Sequence, residues 1–211
     1  MDPSQFTTIP ETFRATARSM GAKTAVYYLG TAYSYEKLDR LSDRFAAGLA
    51  AIGLEPGQRV LMYLPNSVQW LVSWLGILKA GCVAVPITPI YTPYDVEYIA
   101  NDTDCRAVVC TDRNYGYVAK VMPKTNLQKA VVCRLVDLLP AVKRIFGWLY
   151  DKVPKGKTAK GEHTLSLPGL LALGRGAPPS SRPSPTPRPR FFSPAAPPST
   201  PRECPSATAC S

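Results

Sequence analysis

Few side chains in this sequence have types and spacing suited to chemistry. Lys79 lies between an apolar helix pattern and a strand-like run, where an ammonium group could meet a phosphate. A lysine at that place more simply complements the negative carboxyl end of the helix and points to solvent, and that reading is adopted. Tyr91 and Thr92 follow the carboxyl end of the strand, where open α/β sheets often bind ligands, yet Thr92 also stands where it would cap the next helix. Asp95, Glu97, Asp102 and Asp104 are close enough in sequence to suggest a hard-cation set. Without an oxygen-rich loop, a solvated acidic face is expected instead. The six cysteines, Cys82, Cys105, Cys110, Cys133, Cys204 and Cys210, include no CxxC pair, and the first four lie in or beside apolar strand-like runs and read as small core residues in a reducing compartment. His163 is the single histidine, which argues against a zinc site or a histidine-dependent triad within this sequence. No G-x-G-x-x-G or Walker-type glycine pattern follows a predicted strand. The expectation is that this chain supplies no catalytic, cofactor-binding or metal-ligating residue.

The elements that would position these residues centre on 59–111. Arg59 to Leu64 (RVLMYL) reads as a strand, and Asn66 as the cap of a helix starting at Ser67. Trp70, Leu71, Trp74, Ile77 and Leu78 recur at helical spacing and form one apolar stripe, with Gly81 as the left-handed exit. Cys82 to Ile87 reads as a buried strand. Thr92, Pro93 and Asp95 open another helix, and Arg106 to Thr111 is a third strand. Strands alternating with helices at this spacing predict right-handed crossovers and a parallel sheet, hence an α/β class.

The run Leu64 to Pro93 (LPNSVQWLVSWLGILKAGCVAVPITPIYTP) resembles the AMP-forming acyl-CoA synthetases of the adenylate-forming superfamily. Its piece LKAGCVAVPI, Leu78 to Ile87, is similar to that superfamily's Leu-Lys-Ala-Gly element. Tyr33 to Leu41 (YSYEKLDRL) and Phe45 to Leu49 (FAAGL) are similar to its first helix, and the resemblance runs from about Phe6 to Gly174. Thr88 departs from the Asn often carried there by fatty acyl-CoA ligases. The resemblance implies an incomplete N-terminal portion of the adenylate-forming large domain, most like long-chain fatty acid CoA ligases. In that family ATP and a carboxylate form an acyl-adenylate, and the CoA thiol then displaces AMP. ATP, magnesium and CoA are the intact family's cofactors, and a fatty acid is its substrate. The phosphate loop of the form YTSGTTGxPKG would follow Gly174, where a proline-rich tail stands instead. The acidic residues that hold magnesium and ribose, and the adenylation lysine, would lie further on. This chain is accordingly expected to bind none of these cofactors and to be inactive alone.

Composition divides the chain. Of its 22 prolines, 11 fall in residues 177–211, a stretch built only from Ala, Pro, Ser, Arg, Thr, Phe, Glu and Cys. The expected units are 1–176, an α/β ligase-domain portion, and 177–211, a disordered tail. The tail's alphabet is that of an out-of-frame reading of GC-rich coding DNA, so a frameshift near Gly176 is the adopted origin. The net charge of +10 is also localised: residues 1–112 hold 9 basic and 11 acidic side chains, whereas residues 113–160 hold 11 basic and 2 acidic ones. No aromatic-rich or groove-reading module accompanies this charge, which excludes nucleic acid as the expected partner.

Earlier in the chain, Pro10 to Met20 predicts a helix, Thr24 to Leu29 with Ala32 to Ser34 a hairpin, and Leu38, Leu41, Phe45, Leu49 and Ile52 a longer helix capped by Ser34. Later, Tyr115 to Val121 predicts a short helix and Ala130 to Cys133 a fourth strand. Leu135, Leu138, Leu139, Val142, Phe146 and Leu149 recur at helical spacing, with Pro140 bending or dividing that helix. Leu165 to Leu173 predicts a last apolar turn packing back on the domain. The basic, partly apolar stretch Val121 to Lys160 also suits an anionic membrane surface. That supports the rival reading, a stand-alone peripheral membrane or partner-binding α/β module. No signal sequence or membrane-spanning run is visible, so a cytoplasmic setting is expected; a surface helix covering the sheet is favoured for the leucine-rich part of that stretch, with membrane association as the lesser alternative. A sheet cut before its domain closes would expose apolar edges and dissolve poorly.

Overall fold

A computed structural model describes residues 8–140 and 163–176. The chain opens with α1 (Ile9–Met20), whose first turn is closed by a Thr8–Glu11 capping box. A two-stranded antiparallel ribbon follows, β1 (Thr24–Tyr28) and β2 (Thr31–Ser34). Ser34 then caps α2 (Tyr35–Ala51) by accepting from the Lys37 N–H.

The main sheet has five strands, all paired in parallel: β3 (Arg59–Tyr63), β4 (Val83–Ile87), β5 (Cys105–Thr111), β6 (Lys129–Cys133) and β7 (Thr164–Ser166). Their spatial order is β4-β3-β5-β6-β7. The helices between them are α3 (Val68–Lys79), α4 (Pro93–Asp102) and α5 (Tyr115–Val121), and α6 (Leu167–Leu173) closes the described chain. A 3-10 turn, Met122–Lys124, follows α5.

Alternate residues along each strand face opposite sides, and the two sides form separate cores. Val60, Met62, Ala107, Val109, Val131 and Cys133 pack with α2, α3 and α6. Leu61, Tyr63, Val108, Cys110, Ala130 and Val132 pack with α4 and α5. In the first layer two glycines let helices approach closely. A Cβ on Gly76 would stand 2.5 Å from Phe45 Cδ1, and one on Gly48 would stand 2.5 Å from the Leu170 carbonyl oxygen.

The parallel α/β architecture agrees with the sequence reading, and several local expectations need correction. Helix α3 starts at Val68 with Ser67 as its cap, accepting from the Trp70 N–H at 3.1 Å, while Asn66 is exposed. Its most deeply buried positions are Val68, Gln69, Val72, Ser73, Leu75, Gly76, Ile77 and Lys79, whereas Trp70 and Trp74 stack on each other half-buried. The helix is apolar around nearly its whole circumference, so periodicity alone could not select the inner face. Strand β4 is an edge strand, half-buried rather than buried, and Pro86 occupies the exposed position that an edge tolerates. Leu165 to Leu173 is more than a turn, because 164–166 pair with β6 before α6 begins. Residues 135–139 form turns rather than a helix, and the remainder of that expected helix lies outside the described residues.

Of the stretch proposed for membrane contact, Val121, Leu127, Ala130, Val131, Val132 and Cys133 are buried within the fold, and residues 141–160 lie outside the described residues. Among the described residues no helix is long and apolar enough to cross a membrane.

Candidate functional site at the carboxyl edge of the sheet

The strand order makes one place distinctive. The chain leaves β3 toward β4 on one side, then crosses to β5 on the other, so β3 and β5 are neighbours whose following helices, α3 and α5, cover opposite faces. In open α/β sheets the crevice outside the carboxyl ends of such a pair is where ligands bind. Here it is bordered by residues 64–67 after β3 and 112–114 after β5.

The chain's own β4–α4 loop is pinned beside that crevice. The fully buried Tyr63 donates its hydroxyl to the Tyr91 carbonyl, and Asn114 Nδ2 donates to the Pro89 carbonyl at 3.1 Å. Asn114 is itself held by its N–H donating to Thr111 Oγ1 at 3.2 Å. Burial, with smaller contributions from Tyr117, Cys110 and Asp95, pushes the Tyr63 phenol above its usual range, so it remains a protonated donor.

Each candidate side chain has a definite place. Lys79 is not solvated: it is 3% exposed, and its ammonium contacts Asp39 Oδ1 at 2.6 Å, Asp43 Oδ1 at 2.9 Å and the Asp39 carbonyl at 3.0 Å. Arg14 meets the same Asp43 oxygen at 2.7 Å, so α1, α2 and α3 share one ion network. Lys79 is therefore structural, as expected, but by burial among carboxylates rather than by hydration at a helix end. Thr92 is the cap of α4, donating from its N–H and hydroxyl to Asp95 Oδ2 at 2.9 and 2.7 Å. These bonds hold the Asp95 carboxyl below its ordinary range. Tyr91 sits at the exposed rim of the loop.

The four acids do not converge. Asp95 caps its own helix, Glu97 meets Lys124 at 3.4 Å, Asp102 is exposed at the end of α4, and Asp104 meets Arg106 and Asn126. Among the described residues no three His, Cys, Asp or Glu side chains gather in a metal-binding group. Cys82, Cys105, Cys110 and Cys133 are buried free thiols. Burial raises the pKa of each, that of Cys82 to about 11, which keeps them neutral and poorly nucleophilic. Of these groups Asp95, Glu97 and Asp104 are engaged in a cap and ion pairs, Asp102 stays exposed, and the buried Lys79 is held by carboxylates.

Four positioning residues escaped the sequence reading. Tyr63 and Asn114 act on a loop about 25 residues away in sequence. Tyr33, fully buried, donates its hydroxyl to the Leu138 carbonyl at 2.9 Å. Gln69, 1% exposed, donates through Nε2 to the Arg134 and Leu135 carbonyls at 3.1 and 2.9 Å. The available signal was a lone amide on an otherwise apolar helix, a polar group that burial obliges to find partners.

Comparison with known proteins agrees with this architecture. The family described as AMP-binding enzyme matches residues 13–186. A long-chain-fatty-acid–CoA ligase of Salmonella typhimurium is 31% identical over 144 residues, covering 68% of this chain and 26% of that protein. One from Haemophilus influenzae is 29% identical over 181 residues, covering 83% of this chain and 32% of that protein. The chain thus spans about a quarter to a third of the length of these relatives. Among solved structures, an anthranilate CoA ligase in complex with anthranoyl-AMP superposes with a TM-score of 0.65 at 18% identity, covering 82% of this chain and 30% of that one. A benzoate CoA ligase from Burkholderia xenovorans gives 0.58 at 23% identity, covering 74% and 30%. These structural likenesses concern the fold alone. Fold and sequence together place the chain in the AMP-binding enzyme family.

Proposed function

We propose that this chain is the N-terminal scaffold portion of a long-chain fatty acid CoA ligase and that alone it forms neither acyl-adenylate nor acyl-CoA. The long-chain assignment draws on the relatives that match it over two thirds or more of its length. The inactive state draws on one observation above all. Lys79, the basic side chain of the family-like LKAG element, is buried against Asp39 and Asp43 and has no free ammonium to offer a phosphate. In this reading ATP, magnesium and CoA are held by parts of the longer relatives to which this chain does not align. The described residues supply the platform, with Tyr63 and Asn114 fixing the loop at its carboxyl edge.

The test is direct. Purified chain is incubated with ATP, magnesium, palmitate and CoA, and palmitoyl-CoA is quantified by mass spectrometry. The reading expects the level of the protein-free blank, and product above that blank overturns it.

A further inference from the structure

One surface of the fold is unused by this reading and has its own chemistry. On α4, Tyr94 and Tyr98 are one helical turn apart and 78% and 62% exposed. With Glu97, Asn101 and Asp102 they line a shallow depression of about 340 Å³. Two adjacent phenol rings present ridges on which proline rings can lie, and neighbouring carboxylates favour a guanidinium between them. Among the described residues the cation contact there is Lys124 to Glu97 at 3.4 Å, from a lysine side chain 65% exposed, a pair that a better-placed guanidinium can displace at little cost.

We propose that this face of α4 docks an extended segment carrying arginines among prolines, and that its occupant is the stretch of this chain from Arg182 to Arg190 (RPSPTPRPR). Charge complementarity selects it: Arg182, Arg188 and Arg190 meet Glu97 and Asp102, while Pro183, Pro185, Pro187 and Pro189 favour the extended left-handed helix that aromatic ridges recognise. Length permits the contact. Arg190 lies 14 residues beyond Gly176, the last described residue, and 14 extended residues reach roughly 45 Å, about the breadth of a domain this size. The recognition depends on these side chains and not on how the tail arose, so it stands apart from the ligase assignment.

Two measurements on the full chain test it. In the first, a labelled peptide of residues 181–191 is titrated against the chain by fluorescence polarisation. In the second, tryptic cleavage of the chain after Arg190 is timed. The Tyr94→Ala/Tyr98→Ala and Glu97→Gln/Asp102→Asn double variants are compared with the parent in both. If the chain's own tail already fills the face, cleavage after Arg190 accelerates by roughly tenfold in each variant. Peptide binding to the parent should then be weak, because the tail competes for the face. The proposal is overturned if cleavage after Arg190 does not respond to the tyrosine variant, including the case in which the free peptide binds the parent tightly and shows the face to be unfilled by the tail. It is also overturned if a lysine peptide of equal charge without proline binds as tightly as the arginine–proline one, since that reports simple attraction to an acidic surface.

Discussion

Lys79 Nζ stands 2.6 Å from Asp39 Oδ1 with the lysine side chain almost wholly withdrawn from water. The helix that ends at Lys79 is thereby tied to α2, and Asp43 extends the tie through Arg14 to α1. Breaking a buried pair leaves an uncompensated charge, but Asp39 and Asp43 keep partial contact with water, which moderates the cost. Lys79→Ala is expected to lower unfolding stability by about 2–4 kcal/mol in urea titrations. Asp39→Ala should cost less, because Asp43 still holds the ammonium.

Close helix packing yields a contrasting pair. Gly48→Ala forces a Cβ against the Leu170 carbonyl and should destabilise by about 1–3 kcal/mol despite the gain in helix propensity. Gly116→Ala, on α5 with open space around it, should instead stabilise by about 0.5–1 kcal/mol. Thermal melts of both variants, read against the parent, check the opposite signs.

The Tyr63 hydroxyl organises the β4–α4 loop. Tyr63→Phe removes that donor from the Tyr91 carbonyl and is expected to cost about 1 kcal/mol. Hydrogen exchange at the amides of 88–92 should quicken while the β3 and β5 amides stay protected. Uniform quickening across the sheet would assign Tyr63 to packing alone.

The α4 cap carries a pH signature. Hydrogen bonds from Thr92 depress the Asp95 carboxyl below its reference value of 3.8 in the folded chain. A depressed folded pKa stabilises fully above the unfolded value, and the contribution fades as pH falls through the folded one. The melting-temperature difference between the parent and Asp95→Asn should hold constant from pH 7 down to about 5 and shrink below about 4.

Much of this architecture was legible because period and punctuation agree in the sequence. Leu38, Phe45 and Leu49 mark α2, Ser34 and Thr92 open helices, and Gly81, at φ +72°, closes α3. What escaped depends on contacts distant in sequence. The partners of Lys79 lie 40 and 36 residues away, and nothing local to the LKAG element announces them. Asp39 and Asp43, four apart on α2, were a readable hint of a shared cation on one helix face. The edge position of β4 follows from strand order, although Pro86 signalled it. Strand β7 is three residues long and merges into an apolar run, too short to show an alternation of its own.

The scaffold account is tested most directly by ATP–pyrophosphate exchange, which reports the adenylation step without requiring CoA. The purified chain, verified as folded by circular dichroism, is given magnesium, ATP, labelled pyrophosphate and palmitate. The account predicts no palmitate-dependent label in ATP above the protein-free blank. Palmitate-dependent exchange by this chain alone would contradict it, and would mean that its own side chains handle the phosphates.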